Sequence, residues 1–192
     1  SEMNHTWEST CRPLLTIPTF APGVTVSTSG SVLNAIADVK VCTVNCVGVM
    51  GKGIALAFKQ AFPALFEDYQ TACKVGTITP GSVWKWAHPS GDVVLCAATK
   101  NDWRDPSEFE WIVDCARNLR DEIDALGRVR VAIPALGCSN GGLQWSTILP
   151  VLLEAFTGCS AMVTLYSPDS ERYPVKVEDD IVSRYLSKRG LP

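Results

Sequence analysis

Apolar residues recur along this chain in two periods, and the switches between them lay out an order of elements. In residues 23–28, Val24 and Val26 alternate with polar neighbours, as in a strand with one face on a core. Gly30-Ser31 then opens a brief helical turn through Leu33 and Ile36, and residues 39–44 form a short apolar run that reads as a second strand. The period next becomes helical: Ile54, Ala55, Phe58, Ala61 and Phe62 share one face, and the segment opened by Pro63 aligns Leu65, Phe66, Tyr69 and Cys73 before stopping at Gly76. Residues 83–87 and 93–98 read as two strands about a Pro-Ser-Gly-Asp turn. Asp105-Pro106-Ser107-Glu108 predicts a helix start, with Asp105 as N-cap, proline at the first helical position and Glu108 closing a capping box; that helix should end near Leu126, before Gly127. Residues 129–134 have the composition of a fully buried strand, 146–156 form a helix, 162–166 a last strand and 177–186 an amphipathic terminal helix.

Elements alternating in this way predict an α/β fold, a three-layer α/β/α sandwich around a mixed central sheet. Residues 1–22 show no clear period and carry Pro13 and Pro18; they read as an N-terminal arm, leaving 23–192 as a single domain that closes with the terminal helix. Ligands in such folds sit beyond the carboxyl ends of strands. Three connections are expected there: 45–53, the stretch Thr99-Lys100-Asn101-Asp102-Trp103-Arg104, and 135–142.

The first connection holds Gly48, Gly51 and Gly53 within six residues and runs straight into a helix. N–H groups at a helix N-terminus lack helical partners and carry partial positive charge from the dipole, so the loop suits a phosphate. One or two glycines would fit a plain tight turn; three, behind a polar Asn45, favour a ligand loop that a backbone can offer without a Cβ in the way. Two familiar phosphate loops do not fit. Lys52 is followed by Gly53 rather than Ser or Thr, and a dinucleotide fingerprint starting at Gly51 would meet Leu56 where glycine or alanine is needed. The connection with Gly137, Gly141 and Gly142 repeats the logic, and two such loops together suggest a diphosphate.

Composition narrows the picture further. With 192 residues, 46% of them hydrophobic, one core is ample. A net charge of -3 without any dense Lys/Arg run argues against a large sequence-independent nucleic-acid surface and leaves room only for a local groove. No apolar run is long enough to span a membrane and no signal-peptide pattern is visible, so a cytoplasmic protein without a membrane partner is expected. The eight cysteines sit mostly in apolar segments and read as buried free thiols. Cys42 and Cys46 lack a second spaced pair, and His5 and His88 are far apart, so no metal is expected, nor any cofactor.

Taken together, VNCVGVMGKGIALAFKQAFP and IPALGCSNGGLQW resemble the loops of macrodomains, the ADP-ribose-binding fold, and more narrowly the branch that contains the DarG antitoxin and the terminal ADP-ribose protein glycohydrolase. The likeness runs from Gly23 to about Tyr166. It implies ADP-ribose contacts from Gly30, Ser31 and Val32, and from a first loop of Asn45, Gly48, Val49, Met50, Gly51, Gly53 and Ile54 that would hold the distal ribose and diphosphate. It adds Thr99, Pro134, Leu136 and Leu143, with Gly137, Cys138, Ser139, Asn140, Gly141 and Gly142 closing over the diphosphate from the other side. Lys100, after Ala98-Thr99, matches the catalytic lysine of the branch. An isolated lysine at a strand end would otherwise read as a solvated surface residue; in a cleft, a partly desolvated amine is a competent nucleophile toward C1″ of the distal ribose or its opened aldehyde form.

The departures from the branch are informative. Its protein glycohydrolase has an Asp where this chain has Gly141, whereas DarG-like members share the GGL(D/Q)W pattern, which tilts the expected target toward DNA. Many macrodomains follow a glycine with an Asp that accepts from the adenine amino group; here Ser31 follows Gly30, so a backbone contact or the Ser31 hydroxyl must serve. Cys138 reads as packing rather than nucleophile, and Trp145 as packing for the start of its helix. Trp103 and Arg104 would stack on a base and contact a phosphate if the target is nucleic acid; otherwise the tryptophan shields the cleft edge.

The expected function is an ADP-ribosyl glycohydrolase that removes mono-ADP-ribose from DNA thymine by a lysine-dependent mechanism. Its partners would be ADP-ribose or an ADP-ribosylated substrate, single-stranded DNA and a cognate ADP-ribosyltransferase toxin, with the protein working as a monomer. The same motifs permit a non-catalytic ADP-ribose reader, or a hydrolase of protein Glu/Asp-linked ADP-ribose, O-acetyl-ADP-ribose or ADP-ribose 1″-phosphate.

Overall fold

Six strands, β1 (Gly23–Ser27), β2 (Val39–Val44), β3 (Val83–Ala87), β4 (Val93–Ala98), β5 (Arg130–Ile133) and β6 (Met162–Tyr166), make one sheet in the order β1-β6-β5-β2-β4-β3. The structure is a computed structural model and describes residues 17–168, so most of the expected arm and the whole 177–186 helix lie outside the described residues. Neighbouring strands pair in parallel except β3, which runs antiparallel to β4 at one edge. The β3–β4 turn is too short for a crossover, so only an antiparallel pairing is open to it; the His88 N–H donates to the Asp92 carbonyl (2.8 Å) to close it.

Both sheet faces are covered, as the apolar β2 run requires. Val39 and Val41 join one core with α3 (Phe109–Leu126) and α4 (Trp145–Phe156), while Cys42 and Val44 join the other with α1 (Gly53–Ala61) and α2 (Pro63–Lys74). α3 buries Ile112, Cys115, Ala116, Leu119 and Ile123, and α4 buries Trp145, Ile148, Leu149, Leu152 and Phe156, each a single helical stripe. These are the three layers of the expected sandwich. The seven cysteines among the described residues are free thiols, five of them buried. Among the described residues no helix is long and apolar enough to cross a membrane, and no group of three His, Cys, Asp or Glu side chains could hold a metal ion.

Two local expectations change. The turn after β1 is a single one, closed by the Ala35 N–H to the Val32 carbonyl (3.2 Å), and Ile36 faces solvent. The capping box at Asp105 does not form: α3 begins at Phe109, with Glu108 extended (φ -104, ψ 142) and no side-chain cap. The Ser107 N–H goes instead to the Gly141 carbonyl (2.9 Å), and the Asp105 N–H to the Asp102 carbonyl (3.2 Å). A long-range hydrogen bond thus holds the stretch extended against its local helix signal. Of the arm, residues 17–22 lie along the start of β5, where the Arg130 guanidinium donates to the Pro18 carbonyl (2.6 Å) and the Phe20 ring sits 4.6 Å from the Arg128 guanidinium.

Arg120 on α3 ties the two helices of one layer together. Its guanidinium donates to the Ala155 (2.9 Å) and Thr157 (2.8 Å) carbonyls, which close the end of α4, and its Nε to Asp124 (2.8 Å). Arg120→Met should lower unfolding free energy in urea by about 1–3 kcal/mol, because charge-assisted bonds to helix-end carbonyls are lost. Asp124→Asn, which touches only the half-exposed ion pair, should cost less than about 1 kcal/mol.

Candidate functional site

The carboxyl ends of five parallel strands open on one cleft of ≈ 880 Å³. Its walls are residues 30–34 after β1, 45, 49 and 51–55 after β2, 99–100 and 103–106 after β4, 134–135 and 137–141 after β5, and 166–168 after β6. The three connections expected from sequence are all there, and the ends of β1 and β6 join them.

Asn45 builds the first loop. Its Oδ1 accepts from the Val47 (3.1 Å) and Val49 (3.3 Å) N–H groups and from the Tyr69 hydroxyl (2.8 Å), and its Nδ2 donates to the Val49 carbonyl (2.8 Å). The side chain that the resemblance assigns to ribose is thus largely engaged in shaping the backbone. Burial pushes the Tyr69 phenol well above its ordinary range, so it remains a hydroxyl donor at working pH. Met50 lies buried beneath the loop and Gly48 turns it at φ +82 beside Gln70; both support the loop without lining the cleft. Burial also pushes the Cys46 thiol up to about 11, with Cys73 adding to the shift, so Cys46 is no thiolate nucleophile at neutral pH.

α1 begins at the cleft. Its N-cap, Lys52, offers no side-chain cap, and the first helical bond runs from the Leu56 N–H to the Lys52 carbonyl (3.2 Å). The N–H groups of Gly53, Ile54 and Ala55 therefore lack helical partners, on residues that line the cleft, which suits an anion. Across from them, Asn140 Nδ2 lies 3.2 Å from where a Cβ on Gly53 would stand, so the two glycine loops approach each other there.

In the second loop, Pro134, Gly137, Cys138, Ser139, Asn140 and Gly141 face the cleft, while Leu136 is core, and Gly142 and Leu143 lie outside the lining. Gly137 sits at φ +71, and a Cβ there would come within 2.7 Å of Ile112 Cδ1, so only glycine fits. Ser139 is the non-glycine residue held at positive φ (56) among the described residues, strain of the kind found at ligand sites. Cys138 is buried with its thiol 3.7 Å from the Leu136 carbonyl, in agreement with a packing role.

Lys100 lines the cleft and its amine donates to the Trp103 carbonyl (3.3 Å), with buried Thr99 beside it. Asp102 holds the following turn, accepting from the Arg104 N–H (2.9 Å) and facing its guanidinium (3.3 Å), which in turn sits 4.8 Å from the Trp103 ring centre. At the β1 end, the Ser31 hydroxyl accepts from the Asn34 N–H (3.4 Å), and the Tyr166 ring flanks Gly30. Sequence reasoning missed Asn34, Lys52, Asp105, Tyr166 and Ser167 among the lining residues. Tyr166 had a usable signal, its place at the end of a strand, whereas Asp105 was misassigned to a helix cap.

Gly141 has a structural cause. A Cβ on it would lie 2.5 Å from Ser107 Oγ and 3.1 Å from Ser107 Cβ, and Ser107 is only 5% exposed and bonded through its N–H to the Gly141 carbonyl. The Ser107 hydroxyl is itself buried without a partner. Gly141→Ala should therefore cost about 1–3 kcal/mol in thermal or urea unfolding. Ser107→Ala should be nearly neutral, since it removes an unsatisfied hydroxyl, and in that background Gly141→Ala should cost measurably less.

Comparison with known proteins agrees with this geometry. The Macro domain family model matches residues 41–152. The DNA ADP-ribosyl glycohydrolase of Mycobacterium tuberculosis is 40% identical over 137 residues, 67% of this chain and 37% of that protein. That of Thermus aquaticus is 36% identical over 145 residues, 72% of this chain and 40% of that protein. The chain thus spans 37% and 40% of the length of these curated relatives. Among solved structures, the macrodomain of Mycobacterium tuberculosis DarG superposes with a TM-score of 0.73 at 37% identity, covering 77% of this chain and 99% of that one. Thermosipho africanus DarTG in complex with ADP-ribose gives 0.76 at 27% identity, covering 88% of this chain and 46% of that one. A mixed sheet with five strand ends on one cleft, two glycine loops across it and a family model spanning more than half of the residues place this chain in the macrodomain family.

Proposed function

We propose that this chain is an ADP-ribosyl glycohydrolase that releases mono-ADP-ribose from thymine in DNA, with Lys100 as the attacking group. The observation that carries the reading is that Lys100 lines the same cleft as Gly53, Ile54 and Ala55, whose N–H groups lack helical partners at the start of α1. The relatives named DNA ADP-ribosyl glycohydrolase support the reaction class and the target. The Thermosipho africanus structure in complex with ADP-ribose supports the ligand.

The diphosphate sits on the α1 N-terminus with the second loop over it, so binding energy at the phosphates fixes the distal ribose. The lone pair of the Lys100 nitrogen attacks C1″; the bond from C1″ to the base breaks, its electron pair leaves with the base, and a proton from the attacking nitrogen reaches that base through solvent. Water then cleaves the ribosyl–lysine bond and restores the amine. Adenine is read at the β1 end, by backbone groups beside Tyr166 or by the Ser31 hydroxyl, which keeps its O–H and a second lone pair after accepting from the Asn34 N–H (3.4 Å). We take the working unit to be a monomer. A Thermosipho africanus relative, 31% identical over 150 residues, is named a DNA ADP-ribosyl transferase-DNA ADP-ribosyl glycohydrolase fusion protein. We take a cognate transferase toxin as the source of the substrate, and the cytoplasm, where free thiols persist, as the compartment.

Lys100→Ala should lower release of ADP-ribose from thymine-modified single-stranded DNA by at least about 10²-fold, with affinity for free ADP-ribose changed little. Equal release by both proteins would remove Lys100 from the chemistry, and tight binding without any release by the wild type would leave a reader. On the modified strand, kcat/KM should also fall with added salt while turnover of O-acetyl-ADP-ribose stays flat. A flat profile on both would speak against a nucleic-acid target.

A further inference from the structure

The titratable side chains lining the cleft are Lys52, Lys100 and Arg104 against Asp105, with Tyr166, in a chain whose net charge is -3. Counting Asp102, which pairs with the Arg104 guanidinium (3.3 Å), three cations stand here against two carboxylates, a small positive excess on an acidic body. It is also apolar: Val49 and Trp103, both on the lining, are 36% and 43% exposed. They stand on neighbouring loops, since the Cys46 N–H donates to the Asn101 carbonyl (2.9 Å).

We propose that Trp103, braced by Arg104, is the platform on which the base next to the modified nucleotide stacks; this rests on the DNA glycohydrolase reading above. The alternative sequence reading, a tryptophan that shields the cleft edge, asks for a covered indole, and 43% of this one is open. Its position is held by the turn beneath it. Asp102 fixes both the Arg104 N–H and the guanidinium, and that guanidinium lies 4.8 Å from the ring centre, which leaves its other donors for a backbone phosphate. The Lys100 amine lies 3.3 Å from the Trp103 carbonyl, so the stacking surface and the attacking amine are neighbours, while the Asp102 turn holds the platform without help from Lys100. A strand that stacks one base on Trp103 presents the ADP-ribosyl group on the neighbouring base to Lys100, and only an unpaired strand can splay its bases this way.

The test is a cycle between the indole and the flanking base. Affinity is measured for a short ADP-ribosylated single strand with thymines beside the modified base, and for the same strand with abasic sites there. Lys100→Ala keeps the strand intact and serves as the parent. Loss of the flanking bases should weaken binding to the parent about 5- to 150-fold, weaken binding to Lys100→Ala/Trp103→Ala less than about twofold, and act on Lys100→Ala/Trp103→Phe as on the parent. Equal loss in parent and Trp103→Ala, or no loss in either, overturns the proposal, as does preference of the wild type for Glu-linked ADP-ribosyl peptides over the strand. Free ADP-ribose binding by each variant reports folding. The glycohydrolase reading fails separately, on absence of ADP-ribose release by the wild type.

Discussion

The site depends on one buried side chain, Asn45, at the carboxyl end of β2. A buried amide must be satisfied, and this one meets that demand by gripping Val47, Val49 and Tyr69, which fixes the loop that delivers α1 to the cleft. Tyr69 is on α2, whose seat on the sheet is set by Leu65, Tyr69 and Ala72. Packing of an apolar helix face thus determines where three partnerless N–H groups point. Loss of the Tyr69 hydroxyl would be felt at this loop and the start of α1 before it was felt in the core.

The second loop is constrained from a different layer. Ser107 stands where a side chain at position 141 would need to be, and its N–H holds the Gly141 carbonyl, so the end of the β4 connection and the β5 loop fit each other as a pair. An acid at 141 would therefore require a change at Ser107 as well. Among the described residues lining the cleft, the carboxylate present is Asp105, on the opposite connection.

Most of the fold was legible because the two periods, 2 and 3.6, mark faces that are buried independently of distant contacts. Strand ends at 39–44, 93–98 and 162–166 coincide with β2, β4 and β6. The failure at Asp105 is of the opposite kind: the capping signal is local, and a hydrogen bond to a residue more than thirty positions away outweighs it. Glycine spacing located both loops, yet not the division within them. Met50 and Leu136 are apolar and inside the motif, and only the three-dimensional packing tells that they are floor rather than wall. Tyr69 carried no signal beyond its helical face, since the bond it makes is to a loop formed by another element.

The charge balance then constrains how a nucleic acid can be held. At physiological ionic strength charges are screened beyond about 8 Å, so the acidic body neither steers DNA in nor repels it strongly, and a few cations at the mouth release few counterions. Counterion release alone would give weak binding to any strand. On the proposed function, contacts at the cleft would supply the rest, from the two glycine loops on the diphosphate and from stacking at Trp103. Affinity then tracks the presence of the ADP-ribosyl group rather than the length of DNA, which lets an enzyme find rare modified nucleotides without being sequestered by the unmodified excess.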